Sequence, residues 1–146
     1  MLKVSFSIDI GRPVEDVYRV LIDHENDVRW QAAVIEARKL SPGPTRAGTR
    51  YRGTFRLLGS KLGVDLEVLD LRPPEFYSFT ATSGPFAFET RVRLEPSKLG
   101  TEVNTEVEGS LGAMPRLAAV TLSRVRRKEI ERDLATLKRM MEKGEL

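Results

Sequence analysis

Apolar and polar residues alternate along much of this chain. Between Leu2 and Ile10, the apolar Leu2, Val4, Phe6, Ile8 and Ile10 are interleaved with Lys3, Ser5, Ser7 and Asp9. The same period of two returns at Tyr51, Gly53, Phe55 and Leu57, at Leu62, Val64, Leu66 and Val68, and at Phe86, Phe88, Thr90, Val92 and Leu94. Successive side chains of a strand point to opposite faces, so each segment predicts a strand with one dry side and one wet side. A sheet of such strands needs a cover on its dry side, and the long helical pattern near the C-terminus is the candidate for it. A curved sheet wrapped on one helix can leave a hollow between the two.

Turn residues set the order of the elements. Gly11-Arg12-Pro13 ends the first strand and opens a short helix, where Val14, Val17, Tyr18 and Leu21 fall at helical spacing and Glu15 and Asp16 suit the positive helix end. The polar run Asp23-His24-Glu25-Asn26-Asp27 reads as a turn into a second short helical piece that delivers Trp30. Strands resume at about Val34–Leu40. Breaks at Ser41-Pro42-Gly43-Pro44, Leu58-Gly59-Ser60, Arg72-Pro73-Pro74, Ser83-Gly84-Pro85 and Pro96 to Gly100 then predict an antiparallel meander of six strands. Opposite charges should meet on the wet face: Arg52 near Glu67 and Thr54 near Asp65 in one hairpin, Arg91 near Glu106 and Arg93 near Asn104 in another. These arginines are therefore expected to be structural surface. No repeat or linker divides the chain, and residues 1–146 are expected to form a single domain.

The last helix is expected from about Pro115 to about Lys143, with Gly144 as its stop. At about 1.5 Å per residue it would be roughly 42 Å long. Ile130, Leu134, Leu137 and Met141 form one apolar stripe, while Met114, Leu117, Ala118, Thr121 and Val125 form another on nearly the opposite side. Two readings stay open. The helix is kinked near Val125, or the second stripe marks the core and its backward extension carries Arg127, Ser123, Ala119 and Arg116 over the sheet. A buried arginine needs an anionic partner, which would make Arg127 a ligand anchor. Solvation of Arg126-Arg127-Lys128, the usual state of a charge run, is the favoured reading.

Composition narrows the class further. With 40% hydrophobic and 31% charged residues, the 146-residue chain is of ordinary globular type. It has no cysteine, which removes disulfides and thiolate chemistry and fits a cytoplasmic location. Neither a signal peptide nor a membrane span is expected, because polar residues interrupt the first apolar run. The net charge of +3 is too small to argue for nucleic acid.

The order of elements, together with Val4 to Ile10, Pro13 to Tyr18, Asp23 to Asn26 ahead of Trp30, and Glu131 to Lys138 with Met141-Glu142, resembles the START-like or Bet v 1-like superfamily. Within it the chain is similar to the bacterial polyketide cyclase/dehydrase and lipid-transport group. The resemblance implies an α+β helix-grip fold: a seven-stranded antiparallel sheet wrapped on a long C-terminal helix, with two short helices between strands 1 and 2. It also implies a cavity between sheet and helix, its mouth ringed by loops near Gly59, near Gly84-Pro85 and from Gly109 to Pro115.

The inward positions Tyr51, Phe55, Val64, Leu66, Tyr77, Phe79, Phe86, Phe88, Thr90, Val92, Val103, Thr105 and Val107 are nearly all apolar with a few hydroxyls. That describes a small-molecule site and a filled core equally well. The candidate ligand-binding residues are Trp30, Tyr51, Phe55, Leu66, Tyr77, Phe79, Phe88, Thr90, Thr105, Ser123 and Arg127, with Tyr51 and Tyr77 as the best polar anchors. His24, the single histidine, is expected to be a solvated loop residue between Asp23 and Glu25. Glu89 and Asp65 fall on the wet face. No nucleophile elbow, phosphate loop or zinc motif is present, and no metal or cofactor is called for.

The leading reading is a module that binds a hydrophobic small molecule, lipid-like, aromatic or polyketide-like. The alternative is a cyclase or dehydrase using the same cavity through Tyr51, Tyr77 and an inward Arg127. A third is an interaction module engaging protein, membrane surface or RNA through the basic helix segment Arg124 to Lys128, although the lack of aromatics there argues against nucleic acid. The outward stripe would also suit a homodimer.

Overall fold

The computed structural model describes residues 2–57, 59–81, 87–110 and 116–146, of which 2, 116, 118, 119 and 122 by their backbone alone. In chain order the elements are β1 (Leu2–Ile10), α1 (Val14–Ile22), a 3-10 turn (His24–Asn26), α2 (Asp27–Trp30), β2 (Val34–Lys39), β3 (Arg50–Leu57), β4 (Ser60–Arg72), β5 (Phe76–Ala81), β6 (Ala87–Pro96), β7 (Thr101–Ser110) and α3 (Arg116–Glu142). The seven strands make one antiparallel sheet in the order β1-β7-β6-β5-β4-β3-β2. Its two edges, β1 and β2, are consecutive in sequence, so α1, the 3-10 turn and α2 bridge from one edge to the other. Register irregularities within β2 and β4 insert extra residues into the ladder, and such bulges bend a sheet.

The inward residues of β1, β5, β6 and β7 pack with α1 and the second half of α3. Phe6, Ile10, Val17, Tyr18, Leu21, Tyr77, Val92, Val103, Leu134, Leu137 and Met141 form one buried cluster. Side-chain-to-backbone hydrogen bonds then hold the C-terminal half of α3 to the β1–α1 turn. Gly11 N–H donates to Glu142 Oε2 at 2.7 Å, Arg12 donates to the Met141 carbonyl at 2.8 Å, and Lys138 donates to the Asp9 carbonyl at 2.6 Å. The helix ends in a left-handed glycine, Gly144 at φ 74°. Gly144 N–H reaches the Met141 carbonyl and Glu145 N–H reaches the Met140 carbonyl, a pairing that satisfies two terminal carbonyls.

Two expectations about geometry change. In the β3–β4 hairpin, Leu57 pairs with Ser60, and Gly59 has φ 82°. Arg52 therefore faces Asp65 at 2.9 Å and Arg50 faces Glu67 at 3.9 Å, two residues from the expected register. A shift of two keeps every side chain on its face, and the charges match in both registers, so charge complementarity did not distinguish them. The β6–β7 hairpin has the expected pairing: Arg91 lies opposite Glu106 and Arg93 opposite Asn104. Arg91 binds Glu89, Glu106 and Glu108 together on the outer face.

The open question of α3 also resolves. It is continuous from Arg116 to Glu142, with Leu134, Leu137 and Met141 buried, while Leu117 is 81% exposed and Val125 is exposed with it. The second stripe is the core face and the first faces outward. Of that first stripe, Met114 and the Ala118 side chain lie outside the described residues, as do the Ala119 and Arg116 side chains of the other stripe's backward extension.

Candidate functional site

A cavity of about 350 Å³ opens between the inner face of the sheet and α3, within the range of small-molecule sites. Its wall is mainly apolar. All eleven residues singled out in the sequence border it: Trp30 from α2, Tyr51 and Phe55 from β3, Leu66 from β4, Tyr77 and Phe79 from β5, Phe88 and Thr90 from β6, Thr105 from β7, and Ser123 and Arg127 from α3. Alternation on the curved strands brings the eight strand residues to one surface, and the helices supply the other three. Phe86, Gly84-Pro85 and residues 111–115, also expected at the cavity or its mouth, lie outside the described residues. Gly109 borders the cavity where β7 meets β6, and a Cβ there would lie 2.6 Å from the Ala87 carbonyl oxygen and 2.8 Å from Phe88 Cβ, so this close approach requires glycine.

The proposed polar anchors differ in what they can offer. The Tyr51 hydroxyl bonds the Thr45 hydroxyl at 2.5 Å and donates to the Ile22 carbonyl at 3.3 Å, so its polar end is already engaged. Burial pushes its pKa up to about 12, and the Thr45 hydrogen bond works against that rise. Tyr77 is buried completely, stacked on Phe79 at 5.8 Å and edge-on to Tyr18 at 6.1 Å. Burial first, and then the nearby Asp27, pushes its phenol well above the ordinary value.

Arg127 is half in solvent. Its side chain is 50% exposed, its Nε lies 3.4 Å from Glu131, and its guanidinium sits 5.2 Å from the centre of the Phe6 ring. Arg126 binds Glu129 at 2.5 Å, and Lys128 is exposed. The expected solvation of this charge run is therefore partial, because Arg126 and Arg127 also border the cavity. Both carry an acidic partner within one helical turn, while Arg124 and Lys128 of the same segment are exposed.

His24 overturns its expectation. It is 3% exposed rather than solvated, and it borders the cavity. The local chain turns it inward: Asp23 accepts from Glu25 N–H at 3.1 Å, Asn26 donates to the Val20 carbonyl at 3.1 Å, and Glu25 accepts from Lys39 N–H at 3.0 Å. The acidic neighbours that made His24 look like surface are the residues that tie the turn down. Its ring lies 4.4 Å from Phe79 and 5.1 Å from Tyr51, edge to face in both cases. Its Nδ1 is 2.8 Å from Asp27 Oδ2. Burial raises the Asp27 pKa, and the adjacent imidazole opposes that rise. Asp27 was passed over in the sequence as part of a polar run. A signal existed for the histidine: Val17, Leu21 and His24 fall at helical spacing and share the buried side.

Comparison with known proteins adds the family. The model for polyketide cyclase / dehydrase and lipid transport proteins matches residues 1–142. The chain belongs to this family. No functionally curated protein matches the sequence. Among solved structures, protein TTHA0849 from Thermus thermophilus superposes with a TM-score of 0.75 at 22% identity, over 97% of this chain and 95% of that one. A START superfamily protein from Mycobacterium smegmatis gives 0.74 at 16% identity, covering 95% of this chain and 98% of its own. Ara h 8.0201 gives 0.66 at 11% identity, covering 93% and 97%. The fold is thus the START-like, Bet v 1-like helix grip anticipated from the sequence, seven strands around a C-terminal helix. Among the described residues no helix of this family member is long and apolar enough to cross a membrane, and no group of three or more His, Cys, Asp or Glu side chains could hold a metal.

Proposed function

We propose that this protein binds a hydrophobic small molecule, lipid-like, aromatic or polyketide-like, in the cavity between the sheet and α3. One observation carries the reading: an apolar-walled cavity of about 350 Å³ in a fold that encloses its own space. The family description, which covers both cyclase/dehydrase and lipid-transport proteins, supports it. The eleven bordering residues named above would form the contact surface. A single domain in the cytoplasm belongs to the same reading, supported by one continuous sheet and a cysteine-free chain.

Native mass spectrometry tests it, with the spectrum repeated after denaturation. A small apolar molecule carried natively and released on unfolding is expected, or, if the protein is purified empty, uptake of added naphthalene. Leu66→Trp, which places an indole in the cavity, should reduce uptake while the fold persists. A ligand-free spectrum together with no uptake of naphthalene would overturn the proposal.

A second reading, chemistry of the cyclase or dehydrase type in the same cavity, is favoured by the His24–Asp27 pair. An imidazole held at Nδ1 by a buried carboxylate is oriented for proton transfer at its other nitrogen. Turnover of a polyketide-like chain that survived His24→Phe unchanged would remove His24 from such chemistry.

A further inference from the structure

The connection between β1 and β2 holds two nitrogen atoms of unmet hydrogen-bonding capacity, in two residues that border the cavity. His24 Nε2 and Trp30 Nε1 are both buried, both belong to residues that border the cavity, and neither has a hydrogen-bond partner among the described residues. Leaving a buried polar atom unpaired is costly, and folded proteins do so rarely. Core packing needs neither atom. A leucine or phenylalanine at either position would supply apolar volume without the penalty.

The character of each atom follows from its chemistry. Trp30 Nε1–H can only donate. Where the buried Asp27 accepts from His24 Nδ1, 2.8 Å away, the imidazole proton is on Nδ1 and a lone pair is on Nε2. The two bordering residues thus hold one acceptor and one donor, six apart in the chain. A hydroxyl group answers both, since its hydrogen donates and its oxygen accepts. A carboxylate does not: it brings acceptors only. Around His24 the rings of Phe79, Tyr51 and Tyr77 form an aromatic surround with centroids at 4.4, 5.1 and 6.3 Å.

We propose that the cavity selects apolar molecules bearing a hydroxyl, a phenol or alcohol whose O–H donates to His24 Nε2 and whose oxygen accepts from Trp30 Nε1–H. This rests on the reading that the cavity takes up apolar molecules, and adds which of them it prefers. His24 and Trp30 are then the polar end of the site and the apolar strand residues its body.

Trp30 is the sole tryptophan, so a proton–nitrogen correlation spectrum of ¹⁵N-labelled protein contains one indole signal, a direct reporter on one of the two atoms. The protein is titrated separately with naphthalene and with 2-naphthol. The expected result is that 2-naphthol binds about five- to tenfold more tightly and moves the indole proton downfield, and that His24→Phe removes most of the preference. Equal affinity for the two probes, or an indole signal no more displaced by 2-naphthol than by naphthalene, overturns the hydroxyl preference while leaving the apolar cavity standing. Failure of both probes to bind protein whose native spectrum is ligand-free removes the cavity reading and this inference with it. Should His24→Phe not fold, the wild-type affinities and the indole shift decide by themselves.

Discussion

The His24 imidazole meets the Asp27 carboxylate at 2.8 Å, Nδ1 to Oδ2, inside a connection whose neighbouring side chains are largely polar. Burial disfavours the Asp27 charge, while the hydrogen bond to the imidazole needs only an acceptor. Asp27→Asn keeps an acceptor for Nδ1–H and should cost less than about 1 kcal/mol. Asp27→Ala strands that N–H and leaves a void, and should cost about 2–3 kcal/mol. Urea denaturation of both variants checks this. Equal losses would mean that charge, rather than the hydrogen bond, holds the ring.

Two leucines on α3 should respond oppositely to truncation. Leu137 is fully buried against the sheet, so Leu137→Ala should cost about 3 kcal/mol. Leu117 lies on the outward stripe at 81% exposure, and Leu117→Ala should change stability by no more than about 0.5 kcal/mol. Thermal unfolding of the pair, at two protein concentrations, provides the test. A large, concentration-dependent loss for Leu117→Ala would show that the stripe is covered by a second copy.

All three tyrosines should resist ionisation. Burial pushes Tyr18 and Tyr51 up to about 12 and Tyr77 well above its ordinary value. The unfolded chain releases its phenolic protons near pH ~10, while the folded chain retains them. The unfolded state therefore binds fewer protons, and stability falls as pH rises through and beyond that value. In an ultraviolet titration, tyrosinate absorbance should lag the denatured control and appear together with loss of the folded signal. A folded protein that titrated like the control would contradict the burial of these phenols.

Asp133 ties the β1–β2 connection to α3, with Oδ1 accepting from Ala32 N–H at 3.1 Å. Burial raises its pKa, chiefly against the effect of that same hydrogen bond. A raised carboxylate pKa makes its contribution most favourable below the ordinary aspartate range, and the contribution declines as pH climbs through the raised value. Asp133→Asn should keep the bond, stay within about 0.5 kcal/mol of the wild type and flatten that part of the pH profile, whereas Asp133→Ala should cost about 1–2 kcal/mol. Denaturation midpoints between pH ~4 and ~7, spanning the ordinary aspartate value and the region above it, report the difference.

Much of the cavity wall was legible because alternation does two jobs. In Tyr51, Phe55, Leu66, Phe88 and Thr90, the period that marks a strand also marks which side faces inward, so naming the dry face named the cavity wall. His24 escaped for the converse reason. Its neighbours Asp23, Glu25 and Asn26 are polar, but they spend their polarity on backbone groups of the turn, of α1 and of β2, which composition does not reveal. The unpaired nitrogens of His24 and Trp30 were equally hidden, since satisfaction depends on partners from elsewhere in the chain.

Sequence by itself determined the seven strands, the two short helices and the long closing helix, because strand period, turn residues and helix ends depend on neighbours along the chain. Only the tertiary structure decided which stripe of α3 meets the sheet, which of two charge-matched registers β3 and β4 adopt, and that His24 is buried beside Asp27. It also decided that space remains between the sheet and the helix. Inward apolar residues read the same for a filled core and for a cavity, and the distance between two packed surfaces depends on sheet curvature and helix placement, which many residues far apart in the chain set together.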